Sequence, residues 1–331
     1  QVVGMAFSAL GIGLLSWANS YALVLFSVIL VGIGSSIFHP EASRIAFLAS
    51  GGKRSFTQAV FQLGGNAGTA LAPLLVILIV FTKKMVDGQL IEESHLERLL
   101  WFVLFPAIAI VILFFIGSWR KKLLQQAQSF KKREIPVPDL THAQVRNSVI
   151  ILMFLVFSKN FYTAGISNYF QFYTIKTFGF TNAQAQLYLF YYLGAAAAGT
   201  LIGGFFGDKV GRKFIIWFSI LGAAPFALWL PYADAKTTAV LVVLIGFIIS
   251  SAFASILVYA QELLPKKIGM ISGVFYGFAF GMAGLGSAVL GKLIDMTSIT
   301  FVYKLCSFLP LMGLTAYFLP NLRKVKTKLS E

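Results

Sequence analysis

The chain has 331 residues, of which 58% are hydrophobic and 12% are charged, and its formal net charge is +15. A soluble domain of this size carries about twice that charged fraction, so the composition excludes a soluble globular protein and indicates a polytopic membrane protein. The cations lie in short loops between apolar runs, a distribution that argues against a nucleic-acid partner and for a lipid bilayer.

Ten apolar runs are long enough to cross a hydrocarbon core of ~30 Å as helices. They cover residues 1–17, 21–49, 55–81, 99–119, 148–175, 184–207, 213–231, 238–263, 268–291 and 300–319. An even number of spans places both ends of the chain on one side of the membrane. The loops on the side of Asp208 hold 18 Lys and Arg residues, against 6 on the other side. This bias predicts that the Asp208 side is cytoplasmic.

The longest cytoplasmic stretch, residues 120–147, is basic and contains prolines, and we predict that it links two helical bundles. Four spans precede it within residues 1–119, and six follow it within residues 148–331. The segments VGIGSSIF and GFIISSAF lie about 215 residues apart, and each precedes a basic turn and a glycine-rich span. Such a parallel repeat indicates two six-helix bundles. We therefore expect that this chain holds ten of twelve helices and lacks the first two.

A short charged loop, GGFFGDKVGRK at 203–213, separates two apolar runs. One acid, three cations and two glycines set its spacing: Gly204, Asp208, Lys209, Gly211, Arg212 and Lys213. This spacing resembles the loop signature of the major facilitator superfamily of transporters; the alternative is an ordinary basic turn. Helix N-termini carry partial positive charge and free N–H groups. We predict that Asp208 docks on the helix that begins near Ser55 and latches the cytoplasmic side.

Charged side chains inside apolar spans are costly and are therefore candidates for function. Glu41 directly follows Pro40, which we expect to kink the span, and lies one helical turn before Arg44. A carboxyl in this setting can exchange protons, and the alternative is a structural Glu41–Arg44 pair. The proton-coupling candidates are Glu41, His39, Arg44 and Glu262.

Lys159 lies near the middle of its span, and Tyr162, Tyr169 and Tyr173 follow at helical spacing. An ammonium group among tyrosines suits an anionic substrate, whereas the alternative is a lysine neutralised by a carboxylate on another helix. We predict that Lys159, Tyr162 and Tyr169 contact substrate.

A polar stripe runs along the span 55–81, where Gln58, Gln62 and Asn66 recur every four residues. Such a stripe faces either a cavity or a polar neighbouring helix. We favour the cavity and include these three residues among the substrate contacts.

The sequence has no phosphate-binding loop, no catalytic-triad spacing and no metal-ligand cluster, since its three histidines are far apart. We therefore predict that the protein is not an enzyme and has no cofactor. Transport energy would then come from an ion gradient, most simply of protons. A non-transporting sensor would need a sizeable soluble output domain, and this sequence contains none.

Four segments, at 31–75, 157–173, 199–226 and 251–291, resemble the bacterial fosmidomycin-resistance exporters, and the motifs FHPEASR and YAQELLP are their most specific parts. The resemblance implies an all-α, multi-pass drug:proton antiporter of the bacterial inner membrane with the major facilitator fold. Because that family's namesake substrate is a small phosphonate, it also implies export of a small anionic drug by alternating access. The main alternative is transport of a natural organic anion or phosphorylated metabolite. We expect a monomer.

Overall fold

The computed structural model describes residues 1–86, 89–127, 137–322 and 327–328. Its first part comprises helices α1 (Val2–Ser16), α2 (Tyr21–Leu48), α3 (Arg54–Ile79) and α4 (Leu104–Ala127), with strands β1 (Phe81–Val86) and β2 (Gln89–Ser94) and a 3₁₀ helix (Leu96–Val103) between α3 and α4. The cations predicted at positions 131–133, 323, 324 and 326 lie outside the described residues.

The second part contains the longest helices. They are α5 (His142–Phe178), α6 (Asn182–Val210), α7 (Arg212–Leu221), α8 (Ala224–Trp229), α9 (Ala235–Ser250), α10 (Ala252–Leu263), α11 (Ile268–Met296) and α12 (Ile299–Cys306), with 3₁₀ helices at Leu230–Tyr232, Pro265–Lys267 and Leu309–Phe318. The two-residue strands β3 (Val137–Pro138) and β4 (Thr327–Lys328) pair with each other.

Eight helical segments of the described chain are long and apolar enough to span a membrane. They are Tyr21–Leu48, Leu96–Ser118, His142–Phe178, Gln184–Val210, Arg212–Tyr232, Ala235–Leu263, Pro265–Met296 and Ile299–Phe318. The two remaining predicted spans correspond to α1, which is shorter, and to α3, which is not among these eight segments. The prediction of an all-α multi-pass fold is confirmed for the spans, while strands β1 and β2 form a small antiparallel pair that we did not predict.

Two spans that the sequence presents as continuous are interrupted at prolines. Helix α7 ends at Leu221 and α8 follows with Pro225 in its first turn, and α12 ends at Cys306 before the 3₁₀ helix that contains Pro310. Proline has no N–H group and clashes with the preceding turn, which favours a break at these two positions. Helix α2, in contrast, continues through Pro40. Apolar composition alone does not reveal these breaks.

Helix α6 packs directly on the α9–α10 pair. A Cβ atom at Gly199 would collide with the carbonyl group of Phe247, and one at Gly203 with the backbone of Ser251. Thr200, between these glycines, donates a hydrogen bond of 3.3 Å to the carbonyl oxygen of Ser250, where α9 ends. This bond satisfies a backbone group in a region where water is scarce.

The chain divides into two compact units. Unit 1 comprises residues 1–42 and 68–135, and unit 2 comprises residues 43–67 and 136–330, with the last residue assigned to unit 1. Within unit 1, α1 packs closely on α2, because a Cβ atom at Gly4 would lie 2.7 Å from the carbonyl oxygen of Gly34. The division into a 1–119 bundle, a 120–147 linker and a 148–331 bundle stays a prediction.

Candidate functional site

The carboxylate of Asp208, near the end of α6, binds the N-terminus of α3. Its Oδ1 accepts a hydrogen bond of 3.0 Å from the backbone N–H of Ser55, and its Oδ2 accepts one of 2.9 Å from that of Phe56. These N–H groups have no carbonyl partner within their own helix, and the helix end carries partial positive charge. The docking predicted for Asp208 is therefore present in unit 2, and its role as a latch stays a prediction.

Arg212 extends this contact into a network of alternating charges. Its guanidinium donates to Asp208 Oδ1 at 3.0 Å, to Ser55 Oγ at 3.0 Å and to Glu262 Oε2 at 2.8 Å. Arg54 donates to the other oxygen of Glu262 at 2.6 Å. The four charged side chains are 13–29% exposed, so water screens the network less than it screens a surface ion pair. Glu262, predicted as a proton-coupling candidate, lies between two guanidinium groups.

The structure explains why each of the two positions of the predicted signature is occupied by glycine. Gly204 lies where α6 crosses α3, and a Cβ atom there would collide with the Cβ of Ala59 and lie 2.7 Å from the carbonyl oxygen of Ser55. Gly211 links α6 to α7 with φ +119°, a conformation that side chains with a Cβ rarely adopt. These two glycines allow Asp208 to reach the N-terminus of α3.

We predict that Gly204→Ala lowers the apparent Tm of the detergent-solubilised protein by several degrees, because overpacking of a tight contact costs about 1–3 kcal/mol. Gly277→Ala is the matched control, since a Cβ atom at that glycine of α11 meets nothing within 4 Å. The control should be neutral or slightly stabilising, because alanine favours helix over glycine. Equal Tm values for the two variants would contradict the close contact at Gly204.

The two lysines of the loop do not join the Asp208 network. Lys209 Nζ lies 4.1 Å from the ring centroid of Phe205. Lys213 Nζ donates a hydrogen bond of 2.7 Å to the carbonyl oxygen of Tyr317. The signature therefore holds two kinds of cation: Arg212 in the network, and lysines directed to aromatic residues.

The polar stripe of α3 binds polar groups of neighbouring helices. Gln58 is fully buried; its Oε1 accepts from Ser43 at 3.1 Å, and its Nε2 donates to the Tyr276 hydroxyl at 2.9 Å. Gln62 donates to the same hydroxyl at 3.1 Å, and Asn66 donates to Thr200. These contacts correspond to the alternative in which the stripe faces polar neighbouring helices and not a cavity. Gln62 and Asn66 are also partly exposed, so their predicted contact with substrate stays open.

Lys159 is 8% exposed, and its Nζ lies 4.9 Å from the ring centroid of Phe253 on α10. Within residues 1–86, 89–127, 137–322 and 327–328, none of the ion pairs includes Lys159. The alternative of a lysine neutralised by a carboxylate on another helix thus finds no support in the described part of the chain. The ammonium group is held by a cation–π contact in largely apolar surroundings.

The tyrosines that follow Lys159 do not surround it. Tyr162 and Tyr169 line a small apolar cavity together with Tyr303, and Lys159 is not among the residues that line it. The Tyr169 hydroxyl donates to the carbonyl oxygen of Ser287 at 2.6 Å. Tyr173 stacks on Tyr303 at 4.3 Å between ring centroids. The structure therefore brings Tyr162 and Tyr169 together and leaves Lys159 outside their cavity.

The proton-coupling candidates of α2 lie around its internal proline, Pro40. His39 Nδ1 lies 3.0 Å from the Ser35 hydroxyl and 3.1 Å from the Ser35 carbonyl oxygen. Glu41 and Arg44 are partly exposed and lie on the same helix. Proton coupling through any of these residues stays a prediction.

Several residues that bind the polar stripe of α3 or the Asp208 network were not predicted from the sequence. Gln261 donates to Ser43 at 3.1 Å and to Ser272 at 2.8 Å, while Tyr276 accepts from both glutamines of α3. Gln261 and Glu262 stand together in an otherwise apolar run, and that pattern was a usable signal. No sequence signal indicated the ion pair of Arg54, because a loop arginine contributes to the charge bias whether or not it forms an ion pair.

Comparison with known proteins supplies the family. A family model described as Major Facilitator Superfamily matches residues 2–288. The chain is 50% identical over 325 residues to the fosmidomycin resistance protein of Escherichia coli (strain K12), covering 97% of this chain and 76% of that protein. It is 38% identical over 327 residues to the uncharacterized MFS-type transporter YfnC of Bacillus subtilis (strain 168), covering 98% and 77%. The resemblance to the fosmidomycin-resistance exporters is thereby confirmed.

A solved structure shows the same fold. The crystal structure of the Major Facilitator Superfamily transporter FucP in the outward conformation matches with a TM-score of 0.69 and 17% sequence identity. The match covers 97% of this chain and 82% of that chain. At this identity the likeness establishes the helical fold and carries no information on substrate.

Proposed function

Since this chain belongs to the Major Facilitator Superfamily, it is a membrane transporter and not an enzyme, and we propose that it exports a small anionic drug such as fosmidomycin in exchange for protons. The observation that carries this proposal is its 50% identity, over 97% of the chain, to a protein named for fosmidomycin resistance. Because the match covers 97% of the chain, it is not confined to one helix or loop.

Lys159 supports an anionic substrate. A buried ammonium group is costly unless a counter-charge or hydrogen bonds compensate it. The Phe253 ring lies 4.9 Å from the charge, and none of the ion pairs of the described residues includes Lys159. An anionic substrate would supply the missing counter-charge, so we assign the principal substrate contact to Lys159. Tyr162, Tyr169, Gln58, Gln62 and Asn66 are the further substrate contacts of this proposal.

The Asp208 network supports a gating role in alternating access. It joins the start of α3 to the end of α6, the start of α7 and the end of α10 through charged hydrogen bonds. Such bonds form only at short distance and are lost together when helices separate, which suits a contact that alternates between two states. We propose that this network latches the cytoplasmic side when formed.

Proton exchange would use a titratable residue of the spans. Glu41 is the first candidate, with His39, Arg44 and Glu262 as the others. Glu41 is favoured because it directly follows Pro40 inside an apolar span, where an ionisable side chain is a candidate for function. The proposal places the protein as a monomer in the bacterial inner membrane, with the Asp208 side facing the cytoplasm.

The experiment that tests this function is fosmidomycin susceptibility of an efflux-deficient bacterium that expresses the intact protein, beside Glu41→Gln at equal expression. We expect at least about tenfold resistance from the intact protein and loss of that resistance in the variant, because removal of a required proton site prevents coupled turnover. Resistance that persists in Glu41→Gln would reject Glu41 as the proton site.

A second candidate function is transport of a natural organic anion or phosphorylated metabolite, with drug export incidental. Lys159 favours it equally, because its ammonium group recognises negative charge and not a particular molecule. Intact protein that gives no fosmidomycin resistance would favour this function. Competition by organic anions in everted vesicles would then identify the substrate class.

A further inference from the structure

A surface groove of unit 2 lies where the start of α7 meets the end of the last 3₁₀ helix. It encloses about 280 Å³. Its lining includes Val210, Lys213, Phe214, Trp217, Tyr317 and Asn321. The groove is separate from the Asp208 network and from the surroundings of Lys159, and the proposed transport function does not use it.

The groove lies at the ends of two membrane spans. Lys213 is the second residue of the span Arg212–Tyr232, and Tyr317 is the last but one of the span Ile299–Phe318. Both positions lie on the side that the charge bias predicts to be cytoplasmic. Trp and Tyr side chains with a nearby cation are typical of the headgroup level of a bilayer. The groove therefore opens where phospholipid headgroups meet their acyl chains.

The polar end of the groove is cationic. Lys213 Nζ donates one hydrogen bond to the carbonyl oxygen of Tyr317, and an ammonium group has three donors, so further donors remain for an anion. Helix α7 begins at Arg212 without a side-chain cap from Gly211, so the partial positive charge of its N-terminus adds to that of Lys213. The described lining residues include no acid to oppose this charge.

The other end of the groove is apolar and aromatic. Trp217 lies four residues after Lys213, which places it one helical turn farther into the membrane on the same face of α7. Phe214 and Trp217 are 49% and 38% exposed, so they present apolar surface for a chain to pack on. A cation at the headgroup level with an aromatic surface beneath it matches the two ends of a phospholipid.

We infer that this groove binds an anionic phospholipid, with its phosphodiester headgroup at Lys213 and an acyl chain along Phe214 and Trp217. Charge complementarity selects the occupant, because a basic pocket between helices at the cytoplasmic face attracts anionic headgroups. A zwitterionic lipid carries its own cation and gains less from Lys213.

The first test is native mass spectrometry of the delipidated intact protein titrated with phosphatidylglycerol or phosphatidylcholine. We expect Lys213→Gln to weaken phosphatidylglycerol binding about fivefold, the size expected for one lysine at an anionic surface. Lys236→Gln is the matched control, because this exposed lysine lies on the side predicted to face away from the cytoplasm. Equal phosphatidylglycerol binding by Lys213→Gln and intact protein would overturn the inference.

A second test leaves Lys213 unchanged, so it does not depend on the folding of that variant. Bromine atoms on acyl chains quench nearby tryptophan fluorescence, and the difference between intact protein and Trp217→Phe isolates Trp217. Brominated phosphatidylglycerol should quench Trp217 more than brominated phosphatidylcholine at equal mole fraction in nanodiscs. Equal quenching by the two lipids would show a groove without headgroup selectivity. Loss of the preference in millimolar inorganic phosphate would assign the groove to a free anion. Either result would overturn the inference.

Discussion

Lys159→Met is expected to reduce fosmidomycin transport into everted membrane vesicles by at least about thirtyfold at sub-saturating drug, because truncating one partner of a buried charge pair costs about 2–5 kcal/mol. Methionine fills a similar volume and keeps contact with Phe253, so the protein should fold and insert normally. Lys159 is 8% exposed, so removal of its ammonium group should leave the stability of the protein unchanged or raise it. Loss of transport without loss of stability distinguishes a substrate contact from a structural lysine.

Lys304→Met is the matched control for this experiment. Lys304 also lies in an apolar span and also has a cation–π contact, with its Nζ 5.0 Å from the ring centroid of Tyr232, but it is exposed. This variant should transport at the normal rate. Lys159→Arg should retain part of the activity, because it keeps the charge with a different shape. Normal transport by Lys159→Met would remove Lys159 from the substrate site and weaken the assignment of an anionic substrate.

Asp208→Asn is expected to release the start of α3 from α6. The substitution keeps the size of the side chain but replaces one of the two carboxylate oxygens that accept from Ser55 and Phe56 by an NH₂ group. It also removes the negative charge that pairs with Arg212. Hydrogen bonds to charged groups contribute about 1.5–3 kcal/mol, so a loss of about 2 kcal/mol would increase the population of the separated state about thirtyfold. Transport should fall, because a transporter held in one state cannot complete its cycle.

The release can be measured as thiol reactivity at Ala59. This residue is fully buried, and it lies against Gly204 where α6 crosses α3. In a background in which Cys306 is replaced by alanine, Ala59→Cys should react with a membrane-permeant thiol reagent about thirtyfold faster when Asp208→Asn is present. Unchanged reactivity and unchanged transport would reject the latch.

Asp234→Asn provides the matched control for the latch. Asp234 also binds a helix N-terminus, since its Oδ1 accepts from the backbone N–H of Thr237 at 3.0 Å. That contact is local to the start of α9 and holds no second helix. Asparagine caps a helix about as well as aspartate, so the variant should lose only the charge–dipole attraction, about 0.3–1 kcal/mol, with no change in the reactivity of the cysteine at position 59.

The helices could be predicted from sequence because hydropathy and length are properties of one segment. Each of the ten predicted spans lies largely in helix in the structure, although the span 55–81 runs into β1 at Phe81. Their ends were less predictable: α5 begins at His142 and not at 148, because Thr141 and Gln144 form reciprocal capping hydrogen bonds. The breaks at Pro225 and Pro310 could have been proposed from the prolines, whereas strands β1 and β2 have no strong apolar pattern to predict them.

The candidate site was only partly predictable. Asp208 could be matched to the start of α3 because a carboxylate and a helix N-terminus are complementary wherever they meet. No comparable rule connects Glu262 to Arg54, which is 208 residues away in the chain. The polar stripe of α3 was visible as a repeat, but its partner Tyr276 was not, because tyrosine in a glycine-rich span is unremarkable by sequence.

The sequence by itself determined that this protein spans a membrane, that its cations favour one side, and that its loop and motifs are those of a transporter family, because these features depend on composition and local order. Only the tertiary structure decided which charges meet. It placed Glu262 between two arginines, directed Gln58 to Tyr276, and left Lys159 facing Phe253. The physical reason is that ion pairs and hydrogen bonds act over a few ångströms, and helix packing alone brings distant residues to that separation.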